Sequence, residues 1–169
     1  MQKHLEWKLY KDFRGHFKED FNSKYHGGKK FVFGCISKSK KNIIRGLHIQ
    51  TKNSQGKHVS VLKGSILDVA VDLRKGSKTF GKHFKIMLSD SNGKSIYIPE
   101  GFAHGFLTLD KENIVYYFNT NFRAKKYETG IMWNDNDLKI NWGIKKPVLS
   151  NKDKINLTLK EFTKLYRKK

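Results

Sequence analysis

The chain has 169 residues, the size of one domain that can bury its own core, and a formal net charge of +20. Hydrophobic residues make up 37% and aromatic residues 13%, which excludes a disordered chain. A single cysteine, Cys35, excludes an internal disulfide and a cysteine-based metal cluster.

So much positive charge attracts anions. The lysines are spread along the chain and gather at turns, as in Lys38-Ser39-Lys40-Lys41, without an arginine-rich tract or zinc-finger spacing. That distribution describes a solvated surface rather than a nucleic-acid site, and a phosphate-bearing small substrate would gain from the same field. The first twenty residues are charged and lack an apolar core, and no apolar run is long enough to span a bilayer. A cytoplasmic protein is expected.

In chain order, strands are predicted at Phe31–Phe33, Ile43–Ile49, Val59–Lys63 and Ser65–Leu73. The last of these alternates: Leu67, Val69, Val71 and Leu73 face one way, and Ile66, Asp68, Ala70 and Asp72 the other. This pattern predicts a half-buried antiparallel strand with carboxylates and small groups on its second face. Further strands are predicted at Phe84–Leu88, Ser95–Ile98, Gly105–Leu109 and Ile114–Asn119. Turn signals such as Lys63-Gly64, Lys75-Gly76-Ser77 and Asp90-Ser91-Asn92-Gly93 separate them. Regular strand–turn spacing without intervening helices predicts an all-β jelly-roll barrel. Only the end reads as helix, where Thr158-Leu159-Lys160-Glu161 forms a capping box. Leu159, Phe162, Leu165 and Tyr166 follow at helical spacing, with lysines in the last turn. No repeat, linker or second domain is visible.

Pro99-x-Gly101-x-x-His104 matches the second histidine signature of cupins, which are small jelly-roll barrels. Where metal-binding cupins carry His-x-His, this chain reads His48-Ile49-Gln50, which leaves too few strong ligands for a zinc- or iron-type centre. Acid–base chemistry without a metal is expected instead. His48 is the candidate base because imidazole titrates near neutral pH. Taken alone it is more simply a packed strand histidine, but Arg45 could hold an anion and Lys57 could lie across the barrel mouth. Neighbours on a strand face opposite ways, so only one of Tyr116 and Tyr117 can point into the barrel, and the pattern does not choose between them. Asp153 could equally be a turn residue and Lys152 a solvated one.

Taken together, these residues resemble the dTDP-4-dehydrorhamnose 3,5-epimerase family of cupins, from about Leu9 to Asp153. The matching segments include 12–19, 37–42, Arg45–Gln50, 68–77, Thr79-Phe80-Gly81, Ile98–Phe106 and Trp133-Asn134-Asp135. The resemblance implies epimerisation of a nucleotide-linked 4-keto sugar at C3, C5 or both, with no cofactor, for surface polysaccharide biosynthesis. It implies His48 as base with Asp153 orienting it, Tyr117 as the acid on the opposite face, and Lys57 beside the enolate oxygen. Substrate contacts are implied for Arg45, Gln50, His104 and Lys152, and a base-stacking position for Phe122. A homodimer with exchanged N-terminal segments of about residues 1–36 is implied, in which Arg14 and Glu19 reach the neighbour's nucleotide. The chain departs from the family in having Phe33 and Cys35 where a Gln-x-Asn pair is usual, and Phe118 where lysine follows the acid tyrosine. These changes bear on which nucleotide and which sugar, hexose or heptose, are taken. Two other readings are a keto-isomerase of the same barrel class and a non-catalytic sugar-binding cupin.

Overall fold

The computed structural model describes residues 3–166. The strands are β1 (Lys3–Glu6), β2 (Tyr10–Asp12), β3 (Gly15–Phe17), β4 (Phe33–Ser39), β5 (Ile44–Gln50) and β6 (Lys57–Lys63). They continue with β7 (Ser65–Asp72), β8 (His83–Ser89), β9 (Lys94–Ile98), β10 (Phe102–Thr108), β11 (Asn113–Asn119) and β12 (Glu128–Gly130). One helix, α1 (Leu159–Tyr166), follows near the end. Two five-stranded sheets, ordered β1-β9-β6-β11-β4 and β12-β5-β10-β7-β8, pair antiparallel throughout and build the expected jelly-roll cupin.

Inward-facing residues of both sheets, among them Val59, Val61, Ile66, Ala70, Ile96, Phe102, Phe106 and Val115, form one core between the sheets. A second core lies on the other side of the β5–β10–β7 sheet. There Ile44, Leu47, Val69, Val71 and Leu73 meet Leu138, Trp142 and Phe162 from the C-terminal segment. This corrects the reading of β7 as half-buried: Asp68 and Ala70 face the interior, Val69 and Val71 the C-terminal cover, and all four are buried.

The first sheet is covered in the same way. Lys57, Val59 and Val61 of β6 alternate with His58 and Ser60, which lie under the segment after β3. His58 Nε2 donates to the Asp20 backbone carbonyl at 2.8 Å, Ser60 Oγ donates to Asp20 Oδ2 at 2.6 Å, and His26 Nε2 lies 3.0 Å from His58 Nδ1. Lys18 pairs with Asp20 at 3.0 Å beside them. A side chain that alternation alone would leave in water is thereby a latch for 18–26.

Several elements differ from the sequence-based expectation. Strands β1, β2, β3 and β12 have three or four residues each, too few to show an alternation, and β4 and α1 differ in extent or face. The strand expected at Phe31–Phe33 begins at Phe33 and runs to Ser39. Its outward residues include Ile36, at 61% exposure, so the alternation carries little apolar contrast there. The helix forms with its reciprocal cap: Thr158 N–H donates to Glu161 Oε2 at 2.7 Å and Glu161 N–H to Thr158 Oγ1 at 3.2 Å. Of its expected apolar face Phe162 is buried and Leu165 is exposed. Lys164 lies in the last turn, while Lys168 and Lys169 lie outside the described residues.

β5 and β10 approach closely around a bulge. His104 is the register partner of His48, whereas Phe106 pairs with Arg45. A Cβ on Gly46, which has φ +133°, would stand 2.5 Å from the Gly105 Cα, so both positions need glycine. The bulge re-aims the β5 side chains into the barrel mouth.

Burial, and next the neighbouring His26, hold the His58 ring's pKa down to about 4 despite Asp20. A group with a depressed folded-state pKa stabilises the fold fully above its unfolded value of about 6.5, and that stability is lost as pH falls toward 4. Urea titrations should show a loss of about 3 kcal/mol across that window. His58→Asn should be less stable at pH 7 and should flatten the window; an unchanged slope would place the titration elsewhere.

Candidate active site

A cavity of 770 Å³ opens between the two sheets, and residues from both line it. His48, Arg45 and Gln50 come from β5 and His104 from β10, on one wall. Lys57 from β6, Tyr117 from β11 and Phe33 and Cys35 from β4 come from the facing wall. Lys152 and Asp153 close one side from the C-terminal segment. The register places Tyr117 rather than Tyr116 in the cavity lining.

His48 Nε2 donates to Asp153 Oδ1 at 2.5 Å. The imidazole is 37% exposed toward the cavity and the carboxylate only 4% exposed. Asp153 opens a 3-10 turn (Asp153–Ile155), and its N–H donates to Ser150 Oγ at 3.1 Å. Burial alone would raise the Asp153 pKa. The His48 bond and charge outweigh it, helped by Ser150 and the Gly46 amide, and hold the group ionised below its usual range. A buried carboxylate aimed at one ring nitrogen sets the tautomer and leaves the other nitrogen to act.

Opposite, burial raises the Tyr117 phenol and the nearby Cys35 adds to it, while Ser37 and Arg45 pull the other way. The phenol is therefore protonated at neutral pH. Lys57 is shifted in the sense expected of a buried ammonium: burial lowers its pKa, against the raising effect of Cys35, Asp68 and Glu128.

Asp68 is a site residue that motif reading passed over. His104 Nε2 donates to Asp68 Oδ2 at 2.7 Å, and both side chains are buried. Its other oxygen, Oδ1, is buried without a hydrogen-bond partner among the described residues. The β7 alternation carried the signal, since it set Asp68 on a carboxylate face. Glu128 had no such signal. It accepts from Arg123 Nε at 2.6 Å and from Lys152 Nζ at 3.1 Å, all three lining the cavity. Those contacts pull its pKa down to about 2, Arg123 first.

Arg45 lines the cavity with its guanidinium on Ser39 Oγ (2.9 Å) and the Lys38 carbonyl (3.3 Å). Gln50 also lines it, but its amide is occupied by the protein. Nε2 donates to the Asn53 and Phe122 carbonyls at 2.8 and 3.3 Å, and Oε1 accepts from the Ala124 N–H at 2.7 Å. Gln50 thus holds the loop carrying Phe122, which stands 67% exposed and is not in the lining of this cavity. Arg14 and Glu19 are not in the lining of this cavity. Arg14 sits at the tip of the β2–β3 hairpin, ion-paired with Asp12 at 2.5 Å. Among the described residues no group of three or more His, Cys, Asp or Glu side chains could hold a metal ion. No helix there is long and apolar enough to cross a membrane.

Residues 3–161 match the sequence profile of the family described as dTDP-4-dehydrorhamnose 3,5-epimerase. A curated relative of that name from Shigella flexneri is 46% identical over 155 residues, covering 88% of this chain and 86% of its own. The crystal structure of a Legionella pneumophila dTDP-6-deoxy-D-glucose-3,5-epimerase with dTDP-4-keto-L-rhamnose superposes with a TM-score of 0.90 at 40% identity, over 94% of this chain and 88% of that one. A 3'-monoepimerase from Streptomyces bikiniensis with dTDP-quinovose gives 0.90 at 26% identity, over 97% and 86%.

Gln50→Ala removes two bonds to the 121–124 loop and one to the Asn53 carbonyl. It should cost about 1–3 kcal/mol and abolish hydrogen-exchange protection at the Ala124 amide. Retained protection would return the Gln50 amide to a substrate contact.

Proposed function

The chain belongs to the dTDP-4-dehydrorhamnose 3,5-epimerase family, and from the site just described we propose a cofactor-independent epimerase acting on a nucleotide-linked 4-keto sugar at C3, C5 or both. The observation that carries the reading is one cavity with an imidazole–carboxylate pair on one wall and a protonated phenol on the other. The C4 ketone acidifies the hydrogens on C3 and C5. His48 removes one of them, its positive charge then met by Asp153. The electron pair moves onto the carbonyl oxygen, where the Lys57 ammonium receives the charge in a site shielded from water. Tyr117 returns a proton to the opposite face of the ring carbon, which inverts it. The substrate's own carbonyl is the electron sink, and proton exchange with water returns His48 to the free base and Tyr117 to the phenol, so the steps balance without a further co-reactant. His104, oriented by Asp68, and Arg45 border the sugar, while Lys152 borders the diphosphate.

The catalytic unit is proposed to be a homodimer of a single-domain chain, with residues up to about 36 exchanged. In one subunit β1 pairs with β9 of its own chain. Exchange would keep those pairings and change only which copy supplies them. Support comes from the β2–β3 hairpin, exposed along its length, with Phe13 98% and Phe17 68% exposed. On this reading Arg14 and Glu19 meet the neighbour's nucleotide. Sedimentation should report a dimer, and Phe13→Asp with Phe17→Asp should shift it toward monomer; a wild-type monomer would refute the arrangement.

In deuterated water with dTDP- or GDP-linked 4-keto sugars, mass and NMR spectra should show deuterium entering at C3 or C5 together with inversion. No exchange at either carbon with any such sugar would remove the epimerase reading. Tyr117→Phe should retain exchange through His48 while losing inversion by about 10²-fold or more. His48→Asn should lose both. Equal loss of exchange and inversion in Tyr117→Phe would assign the acid elsewhere.

The pH profile has its own signature. Because burial lowers the Lys57 pKa, rising pH discharges its ammonium earlier than that of an ordinary lysine. The alkaline limb of kcat should fall below the ordinary lysine value of about 10.4. Lys57→Arg, which does not titrate in this range, should move that limb upward in whatever activity it retains; an unmoved limb would assign it to another group.

A further inference from the structure

Of the 35 lysine and arginine residues only Arg45, Lys57, Arg123 and Lys152 line the cavity, so most of the +20 charge serves no purpose there. Part of the remainder gathers where α1 meets the loop between β7 and β8. Phe80 of that loop and Leu159 of α1 pack on the same outer core, and a Cβ on Gly81 would stand 3.4 Å from Leu159 Cδ2. This contact sets Lys75, Lys78 and Lys82 beside Lys160 and Lys164, and all five are exposed. Lys160 lies 3.7 Å from Asp137, while the other four make no ion pair or side-chain hydrogen bond among the described residues. The acids nearby are already engaged. Glu161 caps Thr158, Asp137 faces Lys160, and Asp72 is enclosed by Arg74, Ser77 and Thr79. After α1 the sequence continues with Arg167, Lys168 and Lys169, which lie outside the described residues.

Apolar surface stands among these cations. Leu165 is 62% and Tyr166 48% exposed on the last turn of α1. The Tyr166 ring meets that of buried Phe162 at 5.1 Å between centroids, so aromatic contact runs from core to surface. A nucleic acid would use the lysines but has no need of an exposed leucine. An anionic bilayer takes both, with ammonium heads at the level of the phosphates and apolar side chains between the lipids. We propose that α1 and the β7–β8 loop form a docking face for an anionic membrane surface, on which the protein lies without crossing it. The face is on the far side of the β5–β10–β7 sheet from the cavity, since Phe162 belongs to the outer core and Phe102 and Phe106 to the core between the sheets. Docking therefore leaves the acid–base groups untouched, and the proposal stands apart from the epimerase reading.

Cosedimentation of the full chain with vesicles of equal parts phosphatidylglycerol and phosphatidylcholine tests it. The wild type should bind these and not vesicles of phosphatidylcholine alone, and binding should weaken as salt rises. Each lysine near such a surface multiplies partition by about fivefold, so Lys75→Gln, Lys78→Gln and Lys82→Gln together should weaken binding about 100-fold. The same charge removed from the turns before β5 and β11, by Lys40→Gln, Lys41→Gln and Lys111→Gln, should leave binding within about threefold. Leu165→Ser with Tyr166→Ser, which keeps every charge, should weaken it about tenfold or more. Should that pair lower the melting temperature, Leu165→Ser alone makes the comparison. No binding to the anionic vesicles, equal loss in the two lysine triples, or Leu165 and Tyr166 variants that bind like the wild type would each overturn the proposal. Duplex DNA bound more tightly than the vesicles through Lys75, Lys78 and Lys82 would assign the face to nucleic acid and overturn it too. Exchange at C3 or C5 should be unchanged in every variant. Exchange without vesicle binding would sink the docking face alone, and vesicle binding without exchange the epimerase reading alone.

Discussion

The site depends on one contact, the short hydrogen bond from His48 to Asp153, which joins positions 105 residues apart. An imidazole alone on a strand is an ordinary polar side chain. With a buried carboxylate fixed on one nitrogen it takes a set tautomer and leaves the other nitrogen to act. That carboxylate stays ionised although burial opposes it, because His48, Ser150 and the Gly46 amide all meet it. Each of those partners must hold its place, so the contact makes demands on the architecture around it.

Two features meet those demands. The C-terminal segment lies on the outer core of the β5–β10–β7 sheet through Leu138, Trp142 and Phe162, and this brings Asp153 up to β5. The Gly46–Gly105 approach permits the bulge that turns His48 and Arg45 toward the barrel mouth. The facing sheet supplies Lys57 and Tyr117 by its own alternation. Because the proposed base and acid come from different sheets, a sugar ring held between them would meet each on a different face, as inversion requires.

Burial divides the ionisable groups of the β6–β11 sheet by use. Inside the cavity it keeps the Tyr117 proton on and loosens that of Lys57. Outside it, the same force keeps His58 neutral under the 18–26 segment, where the ring latches a cover and performs no chemistry. Three histidines on strands, His48, His58 and His104, thus have three fates, decided by which carbonyl or carboxylate each one meets.

The sequence by itself determined what depends on neighbours along the chain. The β7 alternation, the Thr158–Glu161 capping box and the turn glycines are local and predicted their elements, and the ordered match to a family identified the barrel and named the acid–base residues proposed above. Only the tertiary structure decided what depends on partners distant in sequence. The second face of β7 is interior rather than wet because the C-terminal segment covers the other face. Gln50 is occupied by a loop 70 residues on, and Asp68 rather than solvent meets His104. Phe33 meets the parallel ring of Phe122. Periodicity reports which way a side chain points, and only packing reports what it finds there.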